Sequence, residues 1–484
     1  MNPYRTESWL ALAGIALLGL ASPPPADADP PDFVDSGYLF IATSDYSTTA
    51  GAFTLMDPES PWPQADNYGI LSGDAIPHAY NGKIWILDRA NGSLQVIDPQ
   101  QDFGVTDEFS VGVDSNPQDI AFVSPARAFV TRYESTELWE IDPRTGLQTD
   151  AIDLALFADT DGLPEMHQMA VYGGFLFVTL QRLDRDAYWE PVPPSYLAVI
   201  DLATNELHDV DPITPGIQAI ELAATNPNSG IVVDPQTGDF LIGEAGSYGA
   251  ADGGVERFDP QTLTSAGMVV TEEELGGNLD FWTTDDGLHG YGLVLGSMWE
   301  TEVREFDLQT GAIVGTPAAS PAYAYSHFLI DCPRDQLFVS DRTYENPGVR
   351  VFGLSTYGEL TSGPIDVGLY PYWLLAMPGT EADIADRLAP DALGLDAYPQ
   401  PAPGHVRLRF DPAAAGTGPV DIVIFDAGGR RVAAHTWLAG SGSGVPDWLW
   451  DGRDPAGRRL ASGSYWARLR TPRGTATRRL ELVR

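Results

Sequence analysis

One short phrase, restated along the chain, constrains the fold more than any other feature. In residues 138–146, Leu-Trp-Glu-Ile-Asp-Pro-Arg-Thr-Gly, apolar and polar residues alternate, an Asp-Pro step closes the run, and Arg-Thr-Gly turns it. The phrase recurs at 53–58, 94–99, 197–202, 255–260 and 303–308, and in a worn form at 349–354. Its Asp stands at 57, 98, 142, 201, 259 and 307, with Gly353 in the seventh copy, so the spacings are 41, 44, 59, 58, 48 and 46. Alternation of period two marks a half-buried strand. Short strands recurring at roughly 40–50 residues are the signature of a β-propeller with one copy per blade. Seven copies predict seven blades.

The remaining strands fall around the phrase. Before it stands a nearly continuous apolar run, at 38–43, 83–88, 127–132, 175–181, 239–244, 291–297 and 336–341, suited to a strand covered on both faces. Before that lies a third strand, often entered through Pro, at 77–80, 117–123, 165–172, 228–233, 278–283 and 326–330. A more polar fourth strand such as 149–154 suits the rim, giving four strands in each of seven blades. The array opens at a second strand, 38–43, and ends on a supernumerary innermost one, 367–376, which is predicted to complete the first blade and hide two edges.

Formal charge is −41, unevenly placed: from residue 401 onward 13 Arg face 7 acids, a balance of +6, which leaves −47 on the first 400 residues. Such a surface repels phosphate, so nucleic acid is excluded as a partner of the main domain. Cys332 is the sole cysteine, which precludes an internal disulfide, and is expected to pack as a small apolar residue. Arg5 precedes the apolar run 9–20, with small residues at Ala21, Ala26 and Ala28. The run is too short to span a bilayer comfortably, so residues 1–28 are expected to be a cleaved secretory signal peptide, leaving an exported, soluble and monomeric protein without a membrane span.

Residues 111–123, Val-Gly-Val-Asp-Ser-Asn-Pro-Gln-Asp-Ile-Ala-Phe-Val, followed by 127–133 and 138–143, resemble the YVTN-repeat seven-bladed propellers. These are extracytoplasmic bacterial proteins related in shape to the lactonase propellers. The resemblance covers about residues 33–378 and is close in blades two, three, six and seven; blades four and five carry inserts at 184–194 and 246–254. It implies fold and export and fixes no substrate. Residues 379–403 form a linker rich in Ala, Asp and Pro. From 404 to 484, alternating strands separated by Gly turns describe a β-sandwich. The set Trp450-Asp-Gly, Gly457 and Ala461-Ser-Gly-Ser-Tyr465 resembles the flagellar hook-capping-type immunoglobulin-like domain, related to the sorting domains of the Por (type IX) secretion system. Gln400 stands where such tails usually carry Asn. The expected class is all-β, a seven-bladed propeller followed by a small Ig-like β-sandwich.

Propellers work at the mouth of the central channel, where the innermost strands converge. The candidates there are His78, Gln118, His167, Asn228, Asn278, His327 and Tyr372. His78, His167 and His327 share one register, and three imidazoles from separate blades could hold a divalent metal with Glu221 or Asp280 beside them. The plainer reading, that each ring caps its own blade across a channel too wide for all three to meet, is preferred. Asp159-Thr-Asp161-Gly-Leu-Pro-Glu165 offers acids and a Gly turn of the kind that holds calcium, without the length of an EF-hand loop. Residues 283–287 suggest a solvated hairpin turn. The repeated Asp of the phrase is expected to accept backbone N–H groups in the turn that follows it. No Gly-x-Ser-x-Gly elbow, His-Glu-x-x-His helix or phosphate-cradling loop occurs. Together these features point to a secreted or cell-surface, alternatively periplasmic, binding protein. Its ligand at the channel mouth would be a small molecule, a glycan or a surface protein, and the C-terminal module would engage the secretion machinery. The alternatives are a metal-assisted lactonase-like hydrolase or propeller lyase, and a structural adhesion component.

Overall fold

The computed structural model describes residues 37–45, 50–377, 395–398, 402, 404–410, 420–425, 431–437, 447–453, 457–471 and 474–483. The expected signal peptide and most of the expected linker lie outside the described residues. The described residues between 38 and 377 form seven antiparallel sheets that are the blades of a β-propeller, and a separate two-stranded ribbon of Leu183–Asp184 and Glu190–Pro191. No helix of the described residues is long and apolar enough to cross a membrane.

The apolar second strands explain how the blades stack. In Lys83–Asp88, Ile84 and Ile86 join the cluster with Phe40 and Phe53 of blade one, whereas Trp85 and Leu87 join that with Ile120 and Val130 of blade three. Side chains of a strand point alternately to the two faces, so a continuous apolar run feeds both neighbours. In blade four, Leu176 and Val178 pack with Phe129 and Leu138 of blade three. Phe177 faces Phe240 and Phe258 of blade five, with ring centroids 5.0 and 6.3 Å away. Phe177→Ala is therefore expected to cost about 3–5 kcal/mol, measured as a lowered denaturant midpoint with unchanged slope.

The ring closes as the repeat arithmetic requires. Tyr370–Met377 is the innermost strand of blade one and pairs antiparallel with Tyr38–Ser44: Leu39 faces Ala376, Phe40 Leu375, Ile41 Leu374 and Ala42 Trp373. Two blades depart from four full strands. Blade seven has three, Tyr325–Asp331, Gln336–Asp341 and Gly348–Gly353, and its rim is reduced to isolated bridges from Val349 to Ile365 and Phe352 to Glu359. The rim of blade four is split into Glu206–Leu207 and Ile220–Glu221 by a segment containing Pro212, Pro215 and Gly216, residues that cannot sustain a ladder.

The repeated Asp behaves as its position suggests. Asp57, Asp98, Asp142, Asp201, Asp259 and Asp307 each accept, through Oδ1, the amide two residues on, at 2.8, 2.9, 3.0, 2.7, 2.8 and 3.0 Å. They are turn formers. The Asp286 carboxylate likewise accepts the amides of Leu288 and His289 after residues 283–285.

Strand alternation also fixes which loops share a face. Each innermost strand begins at one face, called here the upper face. The connections from second to third strand and from one blade to the next must then emerge on that same face.

In the C-terminal region, Asp396–Tyr398, Val406–Arg409 and Asp447–Trp450 form one sheet, and Val420–Phe425, Arg431–Trp437, Gly463–Thr471 and Gly474–Leu482 another. Val406, Leu408 and Trp450 of the first share a core with Ile422, Ile424, Leu469 and Leu480 of the second. Trp448 is half-buried against that core, 5.4 Å from the His435 ring.

Candidate functional site at the channel mouth

The first turns of the innermost strands in blades two, three and four bring together a polar cluster. Arg89, immediately after the second strand of blade two, donates through Nε to Asp74 Oδ1 at 2.8 Å and through Nη1 to Gln118 Oε1 at 3.2 Å. Gln118 Nε2 in turn donates to Asn116 Oδ1 at 2.8 Å. Asp119 is buried, and its Oδ2 accepts the Met169 amide at 2.7 Å across the junction of blades three and four. Thr131 Oγ1 accepts the Asp119 amide at 2.8 Å and donates to the His167 carbonyl at 2.9 Å, fixing both residues. Burial raises Asp119 to about 7 against the pull of two backbone amides. His78 Nε2 lies 3.7 Å from Asp119 Oδ1 and makes no hydrogen bond. Burial lowers His78 to about 4, so the ring is neutral at pH 7 and the contact is not an ion pair.

The three histidines have three different surroundings. Burial, with the Arg89 charge adding to it, lowers His167 to about 3. Its Nδ1 is buried with no hydrogen-bond partner. His327 lies between the rings of Phe281 at 4.3 Å and Trp373 at 4.5 Å, and its Nδ1 accepts the Leu374 amide at 3.3 Å. Burial takes it to about 3 as well. Among the described residues only Asp159, Asp161 and Glu165 bring three ligand atoms of metal-binding type within 4.8 Å of one another. His78, His167 and His327 are not brought together in that way.

The remaining candidates divide between clasps and open groups. Tyr372 Oη donates to the Ala75 carbonyl and accepts the Ala75 amide, both at 2.9 Å, tying the closing strand to blade two. Asn278 Oδ1 accepts the Gly249 amide at 3.0 Å, and its Nδ2 donates to Glu272 Oε2 at 3.2 Å and to the Ala250 carbonyl. Asn228 Nδ2 only grazes the carbonyls of Leu279 and Asp280, at 3.5 Å each, and its Oδ1 is buried without a partner. Asp280, on the innermost strand of blade six, is solvent-exposed yet enclosed enough for desolvation to raise it to about 6. Glu221 belongs elsewhere. It pairs with Tyr196 on the third strand of blade four, well out from the channel, and is no neighbour of the histidines.

At the blade three–four connection the acidic trio already has a cation. Arg185 Nε stands 3.5 Å from Asp161 Oδ2, Nη2 stands 3.3 Å from Glu165 Oε1, and Nη1 bonds Glu134. Burial still carries Glu165 up to about 8, opposed by the Leu183 amide and Arg185 and reinforced by Asp161 and Asp159. The guanidinium thus pairs with two of the three acids, Asp161 and Glu165. Cys332 is half-buried, and its thiol is raised to about 12 by burial and by Asp285. Sequence reasoning missed Asp74, Arg89 and Asp119. The available signals were the Arg directly after Asp88 in an acid-rich chain and the Asp next to Gln118.

No protein-family model and no curated protein matches the chain. Solved structures do. A protein from Lactobacillus plantarum superposes with a TM-score of 0.51 at 9% identity, over 70% of this chain and 99% of its own. A Bacteroides fragilis protein named for 6-phosphogluconolactonase activity gives 0.51 at 12%, over 72% and 100%. AztD from Citrobacter koseri gives 0.46 at 13%, over 71% and 98%. The likeness is one of fold.

Proposed function

We propose that this chain is an exported or cell-surface binding protein whose ligand is a small polar molecule seated at the upper mouth of the propeller channel. One observation carries the reading: His78 Nε2, His167 Nδ1 and Asn228 Oδ1, on blades two, four and five, are buried without a hydrogen-bond partner. Leaving such groups unpaired costs roughly 1–3 kcal/mol each, so a mouth built this way favours a guest that supplies the missing partners. With His78 and His167 uncharged and Arg89 countered by Asp74, the site favours neutral or zwitterionic guests. Export rests on the apolar run at 9–20, and the attachment role of the C-terminal sheets on their sequence resemblance.

The test is a thermal-shift panel of amino acids, nucleosides, monosaccharides and divalent metal salts on the full chain. At least one polar compound is expected to raise Tm, and His167→Ala and Asn228→Ala are each expected to weaken it tenfold or more. A silent panel, or shifts of equal size in both variants, would overturn the reading.

A further inference from the structure

The upper face carries a second feature, outside the channel mouth. Loops of consecutive blades display large aromatic residues to solvent: Tyr188 and Trp189 on blade four, Tyr248 on blade five, Trp299 on blade six, Tyr323 between six and seven, and Tyr344 on seven. Their exposures run from 49% for Trp189 to 83% for Tyr188, against near-zero values for the core rings. Three of them, Tyr248, Trp299 and Tyr323, are in ring contact. The centroid of Trp299 lies 6.5 Å from Tyr248 and 6.4 Å from Tyr323, and Tyr344 stacks on Tyr370 at 6.5 Å.

Two further observations indicate that this display is built rather than incidental. Tyr188, Trp189 and Trp299 have φ of 63°, 64° and 69°, a left-handed conformation disfavoured for bulky side chains. The loops that hold the rings are also braced. Met298 N donates to Glu300 Oε2 at 2.8 Å, Gly296 N to the Glu300 carbonyl at 2.9 Å, and Ser247 N to Asp252 Oδ1 at 2.8 Å. Those hydrogen bonds engage Glu300 and Asp252, the carboxylates beside Trp299 and Tyr248.

We infer that this arc is a docking surface for an uncharged polysaccharide. Every exposed ring carries a hydroxyl or an indole N–H, so each offers an apolar face and a polar edge, which matches the alternating C–H faces and hydroxyl rims of pyranose rings. The spacing between rings is of the order of one sugar unit. The −47 on the first 400 residues opposes uronic-acid, sulfated or phosphorylated polymers. The arc lies beside the channel mouth and does not depend on it: its link is Asn278, which holds Gly249 and Ala250 next to Tyr248.

Affinity electrophoresis of the full chain in gels containing laminarin, hydroxyethyl cellulose, dextran or, as the anionic control, alginate tests the inference. Retardation is expected in at least one uncharged gel and not in alginate. Trp299→Gly should weaken it tenfold or more while leaving Tm unchanged or raised, because glycine adopts φ near +69° without strain. Tyr248→Ala and Tyr323→Ala should each weaken it severalfold. His167→Ala should leave it intact, which separates this surface from the channel-mouth site. No retardation in any uncharged gel, retardation in alginate alone, or retardation indifferent to Trp299→Gly would overturn the inference.

Discussion

Phe40→Pro is expected to open the ring. Phe40 is fully buried and sits in the second strand of blade one, facing Leu55 on one side and Leu375 on the other. Because antiparallel pairs alternate, the Leu374 amide turned away from Ile41 makes Phe40–Leu375 a hydrogen-bonded pair of the closure. Proline removes a ladder donor from the middle of a sheet, which leaves a buried carbonyl unpaired at about 1–3 kcal/mol, and the lost packing of the phenyl ring adds about 3 kcal/mol or more. Together these are a large share of the ~5–15 kcal/mol that holds a typical domain. The near-UV circular dichroism of the propeller should be lost at a temperature where the parent is folded, with rapid tryptic cleavage. Leu374→Pro makes the comparison informative. The Leu374 amide points sideways to His327 Nδ1 rather than into the ladder with Ile41, so this change should cost less. Equal losses in the two variants would mean that the strand pairing does not hold the ring shut.

The closure could be foreseen because a propeller leaves an arithmetic trace: an array that starts on a second strand and ends on an unmatched first one has a single way to hide its edges. The blade count and the turn-forming Asp residues were legible for the same reason, since each is repeated and each copy must solve the same local problem. The weak rims were not. In blades four and seven the outer strand has a neighbour on one side only, so little in the pattern constrains it and Pro and Gly can break it. The site was half legible. Register along the innermost strands located His78, Gln118, His167 and Asn228, because register is a property of sequence. It could not tell that Tyr372 would be spent clasping Ala75, or that His327 would be sandwiched by Phe281 and Trp373. Those outcomes depend on which blade the closing strand meets. Nor could it foresee Arg89 bridging Asp74 and Gln118 across two blades.

The second large effect expected is a loss of stability toward alkaline pH, because blades four to six hold their upper loops with buried carboxyl groups. Glu244 and Glu256 are fully buried side by side. Glu256 Oε2 accepts the Ala223 amide at 3.0 Å, and Glu244 accepts that of Ala224. Burial, with the neighbouring Glu256 adding to it, raises Glu244 well above the ordinary range. Glu272 holds the amides of Leu279 at 2.6 Å and Gly253 at 3.1 Å, and burial raises it from 4.5 to about 7. Glu165, raised to about 8, holds Leu183 at 3.1 Å. A carboxyl whose folded pKa lies above its unfolded one contributes stability that is full below about pH 4.5 and is lost as pH rises through the folded value. Growing repulsion among the chain's acids acts in the same direction. On the acid side, Asp98, Asp142, Asp259 and Asp307 are all lowered, so their contribution is present above the ordinary Asp range and disappears below it. Tm should therefore peak near pH 5 and fall steadily to pH 9. Glu244→Gln, which keeps the shape and removes the ionisation, should leave the acid side unchanged and flatten the alkaline fall. A Tm that rises from pH 5 to 8, or a Gln variant that tracks the parent throughout, would show that these carboxyls are not held protonated by burial.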